Sequence, residues 1–97
     1  MYGTVMIGRL AAGATLDDYD LVSQEWLERK VDGFVDEMVM RADDGRVVTV
    51  VRFRDQASYQ ALADSGEQDA FYQQKVAPLI EGEPDWIDGE WVATYLP

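Results

Sequence analysis

The sequence contains no cysteine and no histidine, and these two absences exclude several common kinds of active site. Without these residues the chain cannot build a conventional zinc site, a cysteine nucleophile, a serine–histidine–aspartate triad or a histidine-ligated haem centre. It also has no disulfide to stabilise a small domain, so burial against a partner chain would help considerably. Any enzymatic activity must therefore rest on other groups.

Basic residues are scarce: eight Lys and Arg stand against 19 Asp and Glu, which gives a net charge of −11. Such an acidic surface repels phosphate backbones and anionic lipid head groups. No apolar run approaches the roughly 18 residues that a membrane span needs, and the first residues lack a basic region followed by a long apolar stretch. We therefore expect a cytoplasmic protein without nucleic-acid or membrane partners.

Turn and cap residues divide the 97 residues into six elements without a linker or repeat, so residues 1–97 are predicted to form a single domain. The predicted elements are strand Tyr2–Leu10, a helix capped by Thr15, strands Phe34–Ala42 and Arg46–Phe53, a helix capped by Asp55, and strand Trp86–Leu96. The S-x-x-Q pattern that begins at Ser65 is expected to cap and restart the second helix, and Pro78 to shorten its end. This order predicts a ferredoxin-like α+β fold, β-α-β-β-α-β, with a four-stranded antiparallel sheet and a broken second helix.

The turn at Asp44-Gly45 sets the predicted pairing of the two central strands. A two-residue turn there places one set of residues on the face that the helices cover: Phe34, Met38, Met40, Val51 and Phe53. The opposite face then carries Val35, Val39, Val48 and Val50, with Glu37 opposite Arg52. Because no helix remains to cover this apolar face, we predict a homodimer that packs sheet against sheet.

Several segments resemble the antibiotic-biosynthesis-monooxygenase-like family of the dimeric α/β barrel superfamily. They are Arg9-Leu10-Ala11-Ala12-Gly13, Val31-Asp32-Gly33-Phe34, Phe53-Arg54-Asp55-Gln56-Ala57-Ser58-Tyr59, Ser65-Gly66-Glu67-Gln68-Asp69-Ala70, and Pro84-Asp85-Trp86-Ile87-Asp88-Gly89-Glu90. The similarity spans nearly the whole chain but contains no catalytic signature. The family includes cofactor-independent oxygenases of polyketide phenols and quinols, haem-degrading enzymes, and proteins of unassigned function.

The resemblance also shows which family residues this chain lacks. Haem-degrading relatives carry Asn, Trp and His at the positions that correspond to Met6, Leu62 and Tyr72. Anthrone-oxidising relatives carry Asn and Trp where this chain has Ser58 and Leu62. We therefore expect no haem binding or haem degradation, and the catalytic residues of neither group carry over.

The resemblance places Tyr72 near the cavity between helices and sheet, where a phenol could bind a phenolate substrate or relay a proton. Tyr72 is the candidate catalytic residue. The candidate substrate-binding residues are the aromatic Trp26, Tyr59 and Phe71 and the adaptable Met6 and Met38. Ordinary core packing is the alternative for each of these side chains. Asp43-Asp44-Gly45 lacks the spaced ligands of a calcium loop, so no metal or cofactor is predicted.

Two functional hypotheses remain open. The first is a homodimeric, cofactor-independent monooxygenase of an electron-rich aromatic such as a polyketide phenol or quinol, in which the substrate supplies the electrons for O₂. The second is a non-catalytic small-molecule-binding or dimeric interaction domain of the same fold. An RNA-binding module is disfavoured because the basic aromatic strand motif is absent and the net charge has the wrong sign.

Overall fold

The computed structural model describes all 97 residues, Met1–Pro97, and is built on one antiparallel sheet with strand order β2-β3-β1-β4. The strands are β1 (Tyr2–Gly8), β2 (Phe34–Arg41), β3 (Val47–Phe53) and β4 (Asp85–Glu90), and the helices are α1 (Leu16–Glu28), α2 (Gln56–Ser65) and α3 (Glu67–Phe71). A π-helical turn, Tyr72–Val76, and a 3-10 turn, Ala77–Leu79, follow α3 without a break. The predicted ferredoxin-like α+β fold is confirmed.

The helix caps follow from the sequence, with one exception. Thr15 and Asp18 form a reciprocal capping box at the start of α1, and the Asp55 carboxylate accepts from the Ser58 backbone N–H at the start of α2. The capping box predicted from Ser65 is wrong. The Ser65 hydroxyl instead accepts from the Glu67 backbone N–H at 3.1 Å and donates to the Leu62 carbonyl at 2.6 Å, and the break between the helices is made by Gly66, in the left-handed region at φ +74°.

The hairpin between β2 and β3 corrects the predicted register by one residue. Its loop has three residues rather than two, because Ala42 and Arg46 form the closing backbone pair and Gly45 adopts φ +90°. Three-residue hairpins commonly end in a residue of this conformation, which glycine adopts without strain. Met38 therefore pairs with Val50, and a bulge near Phe34 shifts the register once more.

This shift exchanges the faces of the side chains on β2, since neighbouring residues of a strand point to opposite sides. Glu37 and Val39 lie on the helix-covered face, and Met38 and Met40 lie on the open face. Arg52 pairs with Asp36 rather than with the predicted Glu37, at 2.8 Å from Nε to Oδ1. The open face nonetheless remains apolar, with Val5, Ile7, Met38, Met40, Val48, Val50 and Ile87 in its central rows.

Two groups of buried side chains fill the space between helices and sheet. Trp26, Phe53, Leu62 and Phe71 form the larger one, and Met6, Tyr19 and Ile80 form the other. The chain contains no helix that is both long enough and apolar enough to cross a bilayer.

The last strand ends earlier than predicted, at Glu90 instead of Leu96. The backbone N–H of Trp91 donates to the Met1 carbonyl, so residues 92–97 extend past the end of the neighbouring strand β1. Tyr95 and Leu96 are 92% and 84% exposed.

Candidate functional site

A cavity of about 90 Å³ lies between the helices and the covered face of the sheet. Ten of its 15 lining side chains are apolar or aromatic: Met6, Tyr19, Val22, Trp26, Val51, Phe53, Phe71, Tyr72, Val76 and Trp86. The other five are Thr4, Ser23, Glu37, Thr49 and Gln68. Predominantly apolar walls with a few polar groups are typical of small-molecule sites.

Glu37 is the single charged residue among those that line the cavity. The register of β2 turns its side chain toward the helices, where it is only partly accessible to solvent. None of the six ion pairs of the molecule includes it. Burial raises the pKa of the Glu37 carboxyl, and the hydroxyl of Ser23 offsets part of this rise. Glu37 is therefore a hydrogen-bond acceptor with an increased affinity for protons.

Two buried threonines on the same face of the sheet differ in their hydrogen bonding. The Thr49 hydroxyl lies 2.7 Å from the Tyr19 hydroxyl, and this pair joins β3 to α1 in the cavity wall. Burial raises the pKa of Tyr19 to about 12. The Thr4 hydroxyl, by contrast, is buried and has no partner in hydrogen-bond geometry, although it lies near enough to the Tyr59 hydroxyl to offset part of the rise that burial causes in the pKa of Tyr59. Such a group carries an uncompensated desolvation cost.

Tyr72 lies at the boundary between this cavity and a second, more open depression. Its ring packs edge-on against Trp86 with the centroids 5.2 Å apart. It begins the π-helical turn, a kind of irregularity that is frequent at functional sites. Burial raises the pKa of Tyr72, and the negative charge of Glu83 adds to this effect. The phenol therefore stays protonated at neutral pH and is able to donate a hydrogen bond.

Four of the six predicted site residues lie in the cavity wall. Trp26 and Phe71 pack together with ring centroids 4.9 Å apart, and Met6 lies on the sheet side. Tyr72 is the fourth residue. The guanidinium of Arg29 lies 4.6 Å from the centre of the Phe71 ring, but Arg29 does not line the cavity.

The other two predicted residues lie elsewhere. Met38 is 69% exposed on the open face because of the register shift, so it does not line the cavity. Tyr59 packs edge-on against Phe53 and lines the second depression. Its hydroxyl lies 3.4 Å from the Asp88 carboxylate. Tyr59 and Met38 were therefore wrongly expected in the central cavity.

The sequence interpretation missed Glu37 because the assumed two-residue turn put it on the open face, opposite Arg52. The signal that could have found it is Gly45 as the third residue of an Asp-Asp-Gly loop, which moves the residues of β2 from Asp36 to Arg41 to the other face, whereas the bulge keeps Phe34 on the helix-covered face. Trp86 on β4 lines both the cavity and the second depression and is 45% exposed.

The arrangement suits an organic ligand rather than a metal ion. No group of three or more carboxylates is placed to hold a metal. The cavity offers flat apolar surface from Trp26 and Phe71, an acceptor at Glu37 and a donor at Tyr72. A planar molecule with a hydroxyl group matches all of these features.

No protein-family model matches the sequence, and no curated protein matches it significantly. Solved structures do match the fold. A Streptomyces coelicolor monooxygenase in complex with nanaomycin D is 20% identical, with a TM-score of 0.72 over 99% of this chain and 91% of the other. The haem-degrader MhuD of Mycobacterium tuberculosis, with two haems in its active site, is 17% identical, with a TM-score of 0.71 over 98% and 99%.

A Nitrosomonas europaea protein of unknown function is 20% identical and has a TM-score of 0.66 over 100% of this chain and 96% of its own. Because one similar structure is a haem-degrader, the expectation that this chain does not degrade haem gains no support from its fold. At these identities the similarity concerns the fold. A putative antibiotic biosynthesis monooxygenase of Nitrosomonas europaea is 12% identical, with a TM-score of 0.70 over 96% of this chain and 100% of the other, so the chain has the fold of the antibiotic-biosynthesis-monooxygenase-like proteins, as the resemblance in its sequence indicated.

Proposed function

We propose that this chain is a cofactor-independent monooxygenase of an electron-rich aromatic, such as a phenol or quinol of the polyketide type. The observation that carries this proposal is the cavity in which the indole of Trp26 and the ring of Phe71 lie beside a carboxyl group and a phenol. Monooxygenase chemistry occurs on this fold in the Streptomyces coelicolor enzyme. Similar folds host different functions, so the proposal depends on the site.

In this reaction the aromatic substrate supplies the electrons. Loss of the hydroxyl proton gives a phenolate, which passes one electron to O₂; the resulting radical and superoxide then join at a ring carbon. The peroxide is protonated and its O–O bond breaks. One oxygen atom remains as a carbonyl, and the other leaves as water with the hydroxyl proton and the proton of that ring carbon. The protein has to orient the substrate, exclude water and move protons.

Tyr72 has the role of proton donor in this proposal. Its hydroxyl makes no hydrogen bond to another residue, so it is free to donate one to a ligand in the cavity. Trp26, Phe71 and Met6 provide the apolar surface that binds the ring.

The test is oxygen uptake with a panel of phenols and quinols. Tyr72→Phe should lower turnover by about 10²-fold or more with the fold intact. Tyr95→Phe is the matched control, because it removes the same hydroxyl from a side chain that is 92% exposed. Equal turnover in the two variants would contradict the role of Tyr72.

The second candidate function is non-catalytic binding of a small molecule. It is favoured by Leu62, which occupies the position where the haem-degrading and anthrone-oxidising relatives carry Trp. Here this residue is 6% exposed, belongs to the hydrophobic core and does not line the cavity. Binding of phenols that survives Tyr72→Phe, together with no oxygen uptake for any phenol tested, would support this function.

The proposal includes a homodimer formed through the open face of the sheet. Met38, Met40 and Ile87 are 69%, 57% and 58% exposed there, an apolar surface that monomers rarely leave uncovered. The Asp36–Arg52 ion pair on the same face compensates its own charge, so it can lie inside or beside such an interface.

A further inference from the structure

Charge distribution around the cavity points to the chemical class of its ligand. The chain has eight Lys and Arg residues, and none of them lines the cavity. The guanidinium of Arg29 packs against the Trp26 and Phe71 rings, but Arg29 is not among the residues that line the cavity. A ligand carboxylate in the cavity would therefore find no Lys or Arg among the lining residues to pair with.

Glu37, the one charged group that lines the cavity, also disfavours a negatively charged ligand. It has no ion-pair partner, and the titratable groups that line the cavity from the other elements are Tyr19 and Tyr72, both of which are neutral phenols at neutral pH. A ligand anion brought beside Glu37 would meet an unscreened like charge among apolar walls, where the repulsion is much stronger than in water. An uncharged hydroxyl group would instead donate a hydrogen bond to a charged acceptor, which is among the stronger kinds.

We propose that Glu37 is the ligand-selecting residue of the cavity: it accepts a hydrogen bond from an uncharged, hydroxyl-bearing aromatic molecule and excludes aromatic carboxylates. This inference deepens the proposed function and rests on it for the site. During turnover the same carboxylate takes the proton of the bound hydroxyl group: the O–H bond breaks, the electron pair stays on the phenolate, and Glu37 becomes neutral. Tyr72 then donates its proton to the peroxide, and the proton held by Glu37 restores the Tyr72 phenol, so both side chains return to their starting states and one proton leaves in water.

The test uses isothermal titration with two probes on the same ring system, 2-naphthol and 2-naphthoate, at pH 7. The wild-type protein should bind 2-naphthol at least about tenfold more tightly. Glu37→Gln keeps the shape and polarity of the side chain and removes the charge, so 2-naphthoate should bind about tenfold more tightly than to the wild type. Glu28→Gln on the exposed side of α1 removes one negative charge outside the cavity and should leave the discrimination unchanged.

Equal affinities of the two probes for the wild type, discrimination that survives Glu37→Gln, or no binding of either probe would each overturn the inference. Far-ultraviolet circular dichroism establishes that the variant is folded; if Glu37→Gln does not fold, Glu37→Asp, which keeps the charge, should retain the discrimination.

Oxygen uptake separates this inference from the proposed function. Turnover that is lost in Tyr72→Phe and retained in Glu37→Gln would leave the monooxygenase standing and refute the role of Glu37. Discrimination that depends on Glu37 in a protein without oxygen uptake would support ligand selection and refute the monooxygenase.

Discussion

Thr4 and Thr49 offer a test of the cavity wall in which the same substitution should have opposite effects. Both are buried on the helix-covered face, at 2% and 4% exposure, and lie on the adjacent strands β1 and β3. Valine preserves the branched shape and the strand preference of threonine and removes the hydroxyl group. The difference between the two variants therefore reports on hydrogen bonding alone.

Thr49→Val removes the partner of the Tyr19 hydroxyl, which lies 2.7 Å away in a residue that is 5% exposed. A buried hydroxyl group that loses its partner costs about 1–3 kcal/mol, so the free energy of unfolding should fall by that amount. Thr4→Val removes a hydroxyl that has no partner, so the free energy of unfolding should rise by about 1 kcal/mol. For a domain of this size, 1 kcal/mol corresponds to roughly 4–8 °C in Tm.

Urea unfolding followed by tryptophan fluorescence measures both changes, and the slope with denaturant should stay constant. The double variant Tyr19→Phe/Thr49→Val should recover most of the loss, because both polar partners are then removed together. Equal destabilisation by Thr4→Val and Thr49→Val would refute the reasoning, since it would mean that the Thr4 hydroxyl has a partner in solution.

The oligomeric state, the Tyr19 phenol and haem binding each offer a further test. Sedimentation at micromolar concentration should give about twice the 11.0 kDa of the chain, and a folded wild-type monomer would contradict the interface. Val50→Asp on the open face should dissociate or unfold the dimer, whereas Leu21→Asp on α1 should not. Folding raises the pKa of Tyr19 from 10.0 to about 12. The contribution of this group to the free energy of unfolding is therefore fully present below pH 10 and is lost as the pH rises from 10 to 12. Its size is about 3 kcal/mol, and Tyr19→Phe should lack this alkaline loss; parallel pH profiles of the two proteins would contradict it. Haemin titration should give no sharp one-to-one Soret change, because the chain has neither His nor Cys to ligate iron, and a tight complex would overturn that expectation.

Local signals in the sequence determined the elements and their order. The Thr15 and Asp55 caps, the glycine-containing turns and the apolar alternation of the central strands depend on neighbours a few residues away, so they are legible without tertiary contacts. The same holds for the arrangement of the sheet, because the order β-α-β-β-α-β leaves few ways to pair four strands. The position of Trp26, Phe71 and Met6 between the helices and the sheet follows from these elements.

Only the tertiary structure decided which residues meet inside the cavity. A loop of three residues instead of two moved Glu37 into the cavity and Met38 out of it, since one residue of register inverts every side chain of a strand. The sequence by itself contained both the loop and the carboxylate, but the choice between two turn geometries depends on strand pairing. Likewise, Tyr59 is aromatic and helical at the expected spacing, yet it lines the second depression instead of the central cavity, because its ring packs against Phe53 where α2 meets the sheet. The absence of Cys and His excluded several kinds of active site, and packing between distant segments decided which of the remaining side chains line the cavity.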